Sequence, residues 1–338
     1  MMYLRPPQQR DASPGTPEHE STDANFNFAL EKYAIEELDI ADSYFMFWRT
    51  TPTLMIGRYQ NTLAEINMPF AKANNINIVR RITGGGTIYT DMNGWQFSFI
   101  NKQAGGKEIE FETYTRPIID ALHSIGVAAE KSGRNDLVID GRKFSGNAQY
   151  KRKDVMLHHG SILFDTNIEN LVRAITPDDE KLVSKGIASV RSRVTNVAEH
   201  MDKKMSSTQF RDVMLEFLLE GMDTYELTQA DITRVNEIKA AQFDSWEWNF
   251  GKDPKFNITK EERFAGGKLL VQSFVEDGRI TEIHFYGDFF ASEGLPELEK
   301  ALVGCTYKEE DIKKALADLD AQRFFFNITN DEILSCII

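Results

Sequence analysis

Apolar residues along this chain change their spacing several times, and each change marks an element. Phe26, Leu30, Tyr33 and the Glu37/Leu38 pair recur at helical spacing behind Asp23, whose carboxylate suits a first-turn cap. A helix from about Phe26 to Leu38 is predicted, with that stripe turned inward. Ile76, Ile78 and Val79 form one β-rich run, and Thr87, Ile88 and Tyr89 another. Leu137-Val138-Ile139 and Arg142-Lys143-Phe144 flank Asp140-Gly141, a two-residue hairpin signal. His158-His159-Gly160-Ser161 leads into Ile162-Leu163-Phe164, a further strand. From Phe243 to Asn257, tryptophans, Gly251 and Pro254 interrupt the pattern. After them Glu262 to Phe290 reads as hairpin-rich strands around Glu276-Asp277-Gly278. Leu295 to Leu319 reads as helix, with Leu298, Leu302, Ile312 and Leu316 inward and Gly304 breaking it in two. The division expected is a large unit over 1–248, a linker over 249–258 and a small α+β unit over 259–338. Leu4 to Ser21, rich in Pro, Gln and charge, is expected to be a mobile loop. No internal repeat is evident.

Polar residues concentrate between the predicted strands. Arg80-Arg81-Ile82-Thr83-Gly84-Gly85-Gly86 links one β-run to the next, with Asp91 just beyond. Three glycines without side chains let peptide N–H groups press against a ligand and leave φ free to turn positive. A phosphate loop of the Walker or dinucleotide type would open a helix, whereas this one joins strand to strand. An anionic, flat ligand wrapped in backbone donors fits, with Arg80 or Arg81 supplying bidentate charge. The competing reading is a plain hairpin or bulge with solvated arginines.

A second cluster lies in Ser132–Gln149. With Asp140-Gly141 as the turn, Ile139 pairs with Arg142, Val138 with Lys143, and Asp136 with Ser145. Asp136, Val138, Lys143 and Ser145 then share a face, with Asp136 and Lys143 as diagonal neighbours. Lys can neutralise a carboxylate or phosphate, and Asp can hold Mg²⁺. The bland alternative is an exposed hairpin with a cross-strand ion pair. Adjacent His158 and His159 point to opposite faces of a strand, one toward the core and one as polar lining. No other His or Cys stands at zinc spacing, so a zinc site is rejected.

Taken in order, Arg-Arg-Ile-Thr-Gly-Gly-Gly, Ser-Gly-Arg-Asn-Asp-Leu, Lys-Phe-Ser-Gly-Asn-Ala, His-His-Gly-Ser-Ile-Leu and Lys-Gly-Ile-Ala-Ser-Val-Arg-Ser-Arg-Val-Thr-Asn resemble the successive motifs of lipoate–protein ligases. Ser245-Trp246-Glu247-Trp248-Asn249-Phe250-Gly251 resembles the segment leading into that family's C-terminal accessory domain. The likeness runs from about Asn25 to the C-terminus. It implies an α+β protein, with a mixed β-sheet catalytic domain of the class II synthetase and biotin-ligase type and a small α+β domain. It also implies a reaction in which ATP and Mg²⁺ activate lipoate to lipoyl-adenylate and the lipoyl group passes to one lysine of a carrier. The carrier would be a 2-oxoacid dehydrogenase E2 lipoyl domain, a glycine-cleavage H protein or an H-like protein. By the same resemblance Arg81 contacts the nucleotide phosphates, and the backbone from Gly86 through Thr87 and Ile88 to Tyr89 holds the adenylate. Lys143 touches the lipoyl carbonyl and the phosphate, and Asn135 and Asp136 lie at the phosphate–metal side, Asp136 as metal ligand. Thr83, Gly84, Gly85, Ser145, Gly146, Ala148 and His159 complete the expected site. Many members have His where this chain has Thr90, which leaves room for a paralogue devoted to an unusual H-like carrier.

Octanoyl- and lipoyl-transferases share the fold but need a reactive cysteine. The chain's two cysteines, Cys305 and Cys336, lie outside the large unit. Biotin ligases build their glycine loop differently. A scaffold protein with a degenerate site would be expected to lack Arg81, Lys143 or Asp136, and all three are present. A net charge of −13 argues against nucleic acid as the main partner. It would also repel an acidic carrier unless Lys151-Arg152-Lys153, Lys181, Lys185, Arg191 and Arg193 make a basic docking face; a solvated charge run is the equal alternative. No apolar run reaches the roughly 18 residues of a membrane span, no signal peptide is seen, and two cysteines suit a reducing cytoplasm. A monomer is expected, and the small unit's charges read as solvated faces.

Overall fold

The computed structural model describes the chain except residues 6–7, 10–18, 39–42, 61, 103–109, 176–179, 251–257, 277, 292–293 and 318. Most of the expected linker therefore lies outside the described residues, as does Asp277. The strands in chain order are β1 (Met2–Arg5), β2 (Gln8–Gln9), β3 (His19–Glu20), β4 (Tyr44–Trp48), β5 (Thr53–Ile56), β6 (Asn77–Arg80), β7 (Ile88–Thr90), β8 (Gly94–Lys102), β9 (Glu130–Ser132), β10 (Asp136–Ile139), β11 (Arg142–Arg152), β12 (Val155–Leu163), β13 (Asp223–Glu226), β14 (Ile258–Phe264), β15 (Gly267–Glu276) and β16 (Arg279–Gly287). Eight of them form one sheet in the order β13-β1-β4-β8-β12-β11-β10-β9. β1 runs parallel to both its neighbours and the other pairings are antiparallel, so the sheet is mixed as expected.

Both faces of this sheet are covered, which is why β4 is apolar at every position and β8 is buried from Gly94 to Ile100. The helices Glu112–Ser124 and Ser207–Leu218 close one face over Phe45, Phe47, Trp95 and Phe97. The helices Ala24–Glu36 and Gln229–Ile238 close the other over Tyr44, Met46 and Trp48. Asp23 caps the first of these through the N–H groups of Asn25 and Phe26. Its inner stripe holds Phe26, Leu30 and Tyr33 but not Glu37, which is exposed and paired with Arg234. Asn27 and Glu31 are fully buried on that helix, a feature the apolar spacing did not signal. Of the expected loop Leu4–Ser21, Leu4 is instead buried within β1, and residues 6–7 and 10–18 lie outside the described residues.

A smaller sheet, β6-β5-β7, carries the glycine loop. β6 is parallel to β5 and β7 antiparallel to it, so the loop crosses the end of β5 from one side to the other. The plain-hairpin reading of the three glycines is thereby ruled out. The C-terminal part is a three-stranded antiparallel meander, β14-β15-β16, packed against the helices Leu295–Leu302, Glu309–Ala317 and Asn330–Ile337. The break at Gly304 and the inward positions Leu298, Leu302, Ile312 and Leu316 are as predicted.

Candidate active site

The glycine loop is set from below by its own arginine. The Arg81 guanidinium donates to the carbonyls of Met55 (2.7 Å), Gly84 (2.9 Å) and Gly86 (2.7 Å), and its Nε donates to Thr83 Oγ1 (3.1 Å). Burial, with the charge of Arg80 alongside, lowers this guanidinium to about 10. Arg80 is likewise buried and donates to the carbonyls of Gly57, Gln60 and Trp248 and to the Thr62 hydroxyl. Both arginines thus hold backbone carbonyls together. Gly85 has φ +91°, and its N–H donates to Phe289 O of the small domain (3.2 Å). Gly84 abuts the same carbonyl so closely that a Cβ there would lie 2.2 Å from it. Asp91, just past the loop, accepts from the N–H groups of Asn93 and Asn167 and braces a turn.

Beneath Thr83 runs a chain of buried hydrogen bonds. The Thr83 hydroxyl accepts from Arg81 Nε and meets His159 Nε2 at 2.7 Å. His159 Nδ1–H then faces the carboxylate of Glu31 (3.0 Å). Ser98 donates to Glu31 (2.6 Å) and accepts from the Trp48 indole N–H (3.0 Å). His158 takes the opposite tautomer on the core face: Nδ1 accepts from Gln149 (2.9 Å) and Nε2 donates to Asn147 Oδ1 (3.1 Å). Full burial, then the neighbouring His159, push its pKa well below the usual histidine range. The two histidines divide as expected, one to the core and one to the cavity.

Facing the loop, the β10–β11 hairpin turns at Asp140-Gly141, where both residues have positive φ. Its register departs from the simple ladder. Val138 pairs with Lys143, but Leu137 pairs with Ser145 and Asp136 with Gly146. Phe144 is an extra residue, bulged so that its ring fills the core at 0 % exposure. The predicted Asp136–Ser145 pairing is therefore corrected, while Asp136 and Lys143 do meet, Oδ1 to Nζ at 2.7 Å. The main chain of Lys143 is fixed by bonds to Arg193 O and from Thr195 N–H, a role for the Arg191–Asn196 motif that spacing did not reveal. Asn135 and Asn147 clamp each other's backbone and hold the turn before β10 against β11.

These elements enclose a cavity of about 360 Å³, a volume suited to a small-molecule site. Of the predicted residues, Arg81, Gly85, Gly86, Thr87, Ile88, Asn135, Asp136, Lys143, Gly146, Ala148 and His159 line it. Thr83, Gly84, Tyr89 and Ser145 do not: Thr83 and Gly84 lie behind the wall, Tyr89 packs in the small-sheet core, and buried Ser145 accepts from Asn147. Thr90 lies outside the wall too, but its hydroxyl accepts from Gln96 Nε2 (2.8 Å), and Gln96 lines the cavity. Phe28, Trp48 and Met55 form an apolar end that the motifs did not include. The small domain contributes Arg263, Asp288 and Phe290, which corrects the expectation that its charges are only solvated. Arg134 lies over the Phe290 ring (4.5 Å) and donates to Gly266 O at that junction.

A divalent cation has little to hold it unaided. Among the described residues no three His, Cys, Asp or Glu side chains gather as ligands, and Asp136 already shares one oxygen with Lys143. Asp136 fits Mg²⁺ only in a shell completed by phosphate oxygens and water, which is how Mg²⁺ is commonly bound.

The pattern of known proteins is decisive. Residues 23–219 match the lipoyl protein ligase A/B catalytic domain, and residues 253–337 match the bacterial lipoate protein ligase C-terminus. The chain belongs to the lipoate–protein ligase family. This ligase is 38 % identical over 320 residues to lipoate-protein ligase LplJ of Bacillus subtilis, covering 93 % of this chain and 97 % of that one. Lipoate–protein ligase 1 of Staphylococcus aureus is 36 % identical over 315 residues, with 93 % and 96 % covered. In fold the ligase is similar to LipL1 of P. falciparum, solved in complex with lipoate, at TM-score 0.77 and 23 % identity over 93 % of this chain and 95 % of that one. Among the described residues no helix is long and apolar enough to cross a membrane.

Proposed function

We propose that this ligase joins lipoate to ATP in the cavity under the glycine loop and passes the lipoyl group to a lysine of a carrier protein. The observation that carries this reading is Lys143 held at 2.7 Å from Asp136 in the wall of a cavity that is also lined by Gly86 and Thr87 and by the apolar side chains of Phe28, Trp48 and Met55. The apolar end, with Phe28, Trp48 and Met55, suits a dithiolane on an alkyl chain. The carboxylate would then reach toward Lys143. One carboxylate oxygen attacks the α-phosphorus of ATP, the bond to the bridging oxygen breaks, and pyrophosphate leaves with the electron pair. Lys143 neutralises the charge that builds between carboxylate and phosphate, as a preorganised cation should. Mg²⁺, held by Asp136 and phosphate oxygens, would screen the polyphosphate. Arg81 acts from behind, shaping the loop carbonyls and adding a fixed positive potential.

In the second step the neutral carrier amine attacks the acyl carbon, AMP departs and the amine loses a proton. No enzyme nucleophile is needed because the mixed anhydride is already activated. Acyl transfer through an enzyme thioester has no support in the site. Cys336 is buried with its thiol raised to about 11, Cys305 is also raised by burial, and neither lines the cavity. The carriers we assign are E2 lipoyl domains and H or H-like proteins, the reaction being cytoplasmic, with residues 1–248 as adenylating unit and 259–338 as accessory unit. The test is lipoate-dependent ATP–pyrophosphate exchange without carrier, repeated with octanoate and biotin. Exchange with lipoate is expected, and its absence with every acid would overturn the reading.

A further inference from the structure

Glu31, in the helix Ala24–Glu36, is fully buried and does not itself line the main cavity. Its partners nevertheless hold the cavity wall. The carboxylate oxygens meet His159 Nδ1 at 3.0 and 3.3 Å, and Oε1 accepts from the Ser98 hydroxyl at 2.6 Å. Ser98 in turn accepts from the indole N–H of Trp48 (3.0 Å). Phe28 lies one turn before Glu31 on the same helix face, with its ring 5.4 Å from that of Trp48 and 6.1 Å from that of His159, centroid to centroid. Three rings that line the cavity are thus set around one buried carboxylate.

The same carboxylate is linked to the glycine loop. His159 Nε2 meets Thr83 Oγ1, which accepts from Arg81 Nε, and Arg81 holds the carbonyls of Met55, Gly84 and Gly86. Among the described residues no carboxylate is bonded to Arg81; Glu31, beyond Thr83 and His159, is the opposite charge that acts on it. Taking a carboxylate out of water costs several kcal/mol. Packing does not account for one here, because an apolar side chain would fill the place without that penalty. What the carboxylate adds is an acceptor for two partners at once and a counter-charge to a buried guanidinium. Trp48, Ser98, Glu31, His159, Thr83 and Arg81 are each at most 7 % exposed, so water does not stand in for a link that shifts.

We propose that Glu31 is a positioning residue that couples the acyl pocket to the glycine loop. A lipoyl chain seated against Phe28, Trp48 and His159 would set the loop carbonyls through Glu31, Thr83 and Arg81, and so prepare the loop for ATP. This coupling presupposes the adenylation reading above. It is reciprocal: the factor by which the acyl group raises nucleotide affinity is the factor by which nucleotide raises acyl affinity.

Lipoamide and α,β-methylene-ATP are suitable probes, since the pair cannot react and the neutral amide removes the repulsion between carboxylate and phosphate. Calorimetry on the full chain with Mg²⁺ gives Kd for α,β-methylene-ATP with and without saturating lipoamide. In wild type lipoamide is expected to lower it at least about fivefold. In Glu31→Gln the factor is expected to fall below about twofold. Trp48→Phe, which keeps a ring and lacks the indole N–H, should lose the coupling likewise, with Kd for the nucleotide alone within about twofold of wild type. If Glu31→Gln does not fold, Trp48→Phe decides. A merely structural role would weaken each ligand alone and keep the factor; that pattern overturns the proposal, and so does a wild-type factor of one. A wild-type chain with neither nucleotide binding nor lipoate-dependent ATP–pyrophosphate exchange overturns the adenylation reading instead, before any variant is compared.

Discussion

Arg81 and Lys143 are both cations on the wall of one cavity, and they live in opposite conditions. Arg81 is 5 % exposed and committed to three carbonyls and a hydroxyl, so its charge is fixed in place and its hydrogen bonds support the loop. The Lys143 side chain is 41 % exposed and holds one carboxylate, itself 38 % exposed, so it can exchange that partner for substrate. A buried donor set builds shape, whereas an accessible one does chemistry. Motif position alone does not distinguish the two, because both residues sit in equally recognisable runs.

The largest expected effect separates them directly. Lys143→Ala should lower adenylate formation by about 10²–10³-fold while leaving the melting temperature nearly unchanged, because an exposed pair contributes at most ~1 kcal/mol. Pyrophosphate release near wild-type rate in this variant would remove Lys143 from the chemistry. Arg81→Met should do the reverse in kind. Leaving buried carbonyls unpaired should cost about 2–4 kcal/mol of stability, measured by denaturant unfolding, with activity lost as the loop loosens. A variant as stable as wild type would show that the loop does not need its brace. The smallest effect belongs to the core histidine. His158 is neutral in the fold, with its pKa well below that of the unfolded chain. Its contribution is therefore complete above about pH 6.5 and declines as pH falls, by up to ~1.4 kcal/mol per unit, until the folded-state pKa is reached. Melting scans from pH 7 to 5 should show this slope in wild type and a shallower one in His158→Gln; identical slopes would exclude it.

Much of this site is legible in the sequence because its signals are local. The glycine loop, the Asp-Gly turn and the opposed histidines each follow from a few adjacent residues. What escapes is set by partners distant in the chain. The Phe144 bulge exists because the core has room for one more ring, and nothing in Arg142–Ser145 announces it. Glu31 looks like a solvent-facing charge on an amphipathic helix until His159 and Ser98, brought by β12 and β8, are seen to surround it. Arg263 and Asp288 look like surface charges of a separate domain until Gly84 is found against Phe289. Nor does the sequence show that backbone carbonyls take most of the donors of Arg80 and Arg81.

The strand that opens the large sheet also sets a clock. β1 lies between β4, some forty residues on, and β13, which begins at Asp223. During synthesis at roughly 5–20 residues per second, β1 would wait on the order of ten to forty seconds for its second neighbour. Through that interval the growing chain carries an unpaired parallel edge, the kind of surface on which one nascent chain can pair with another. The cell that makes this ligase must keep that edge covered until residues 223–226 arrive.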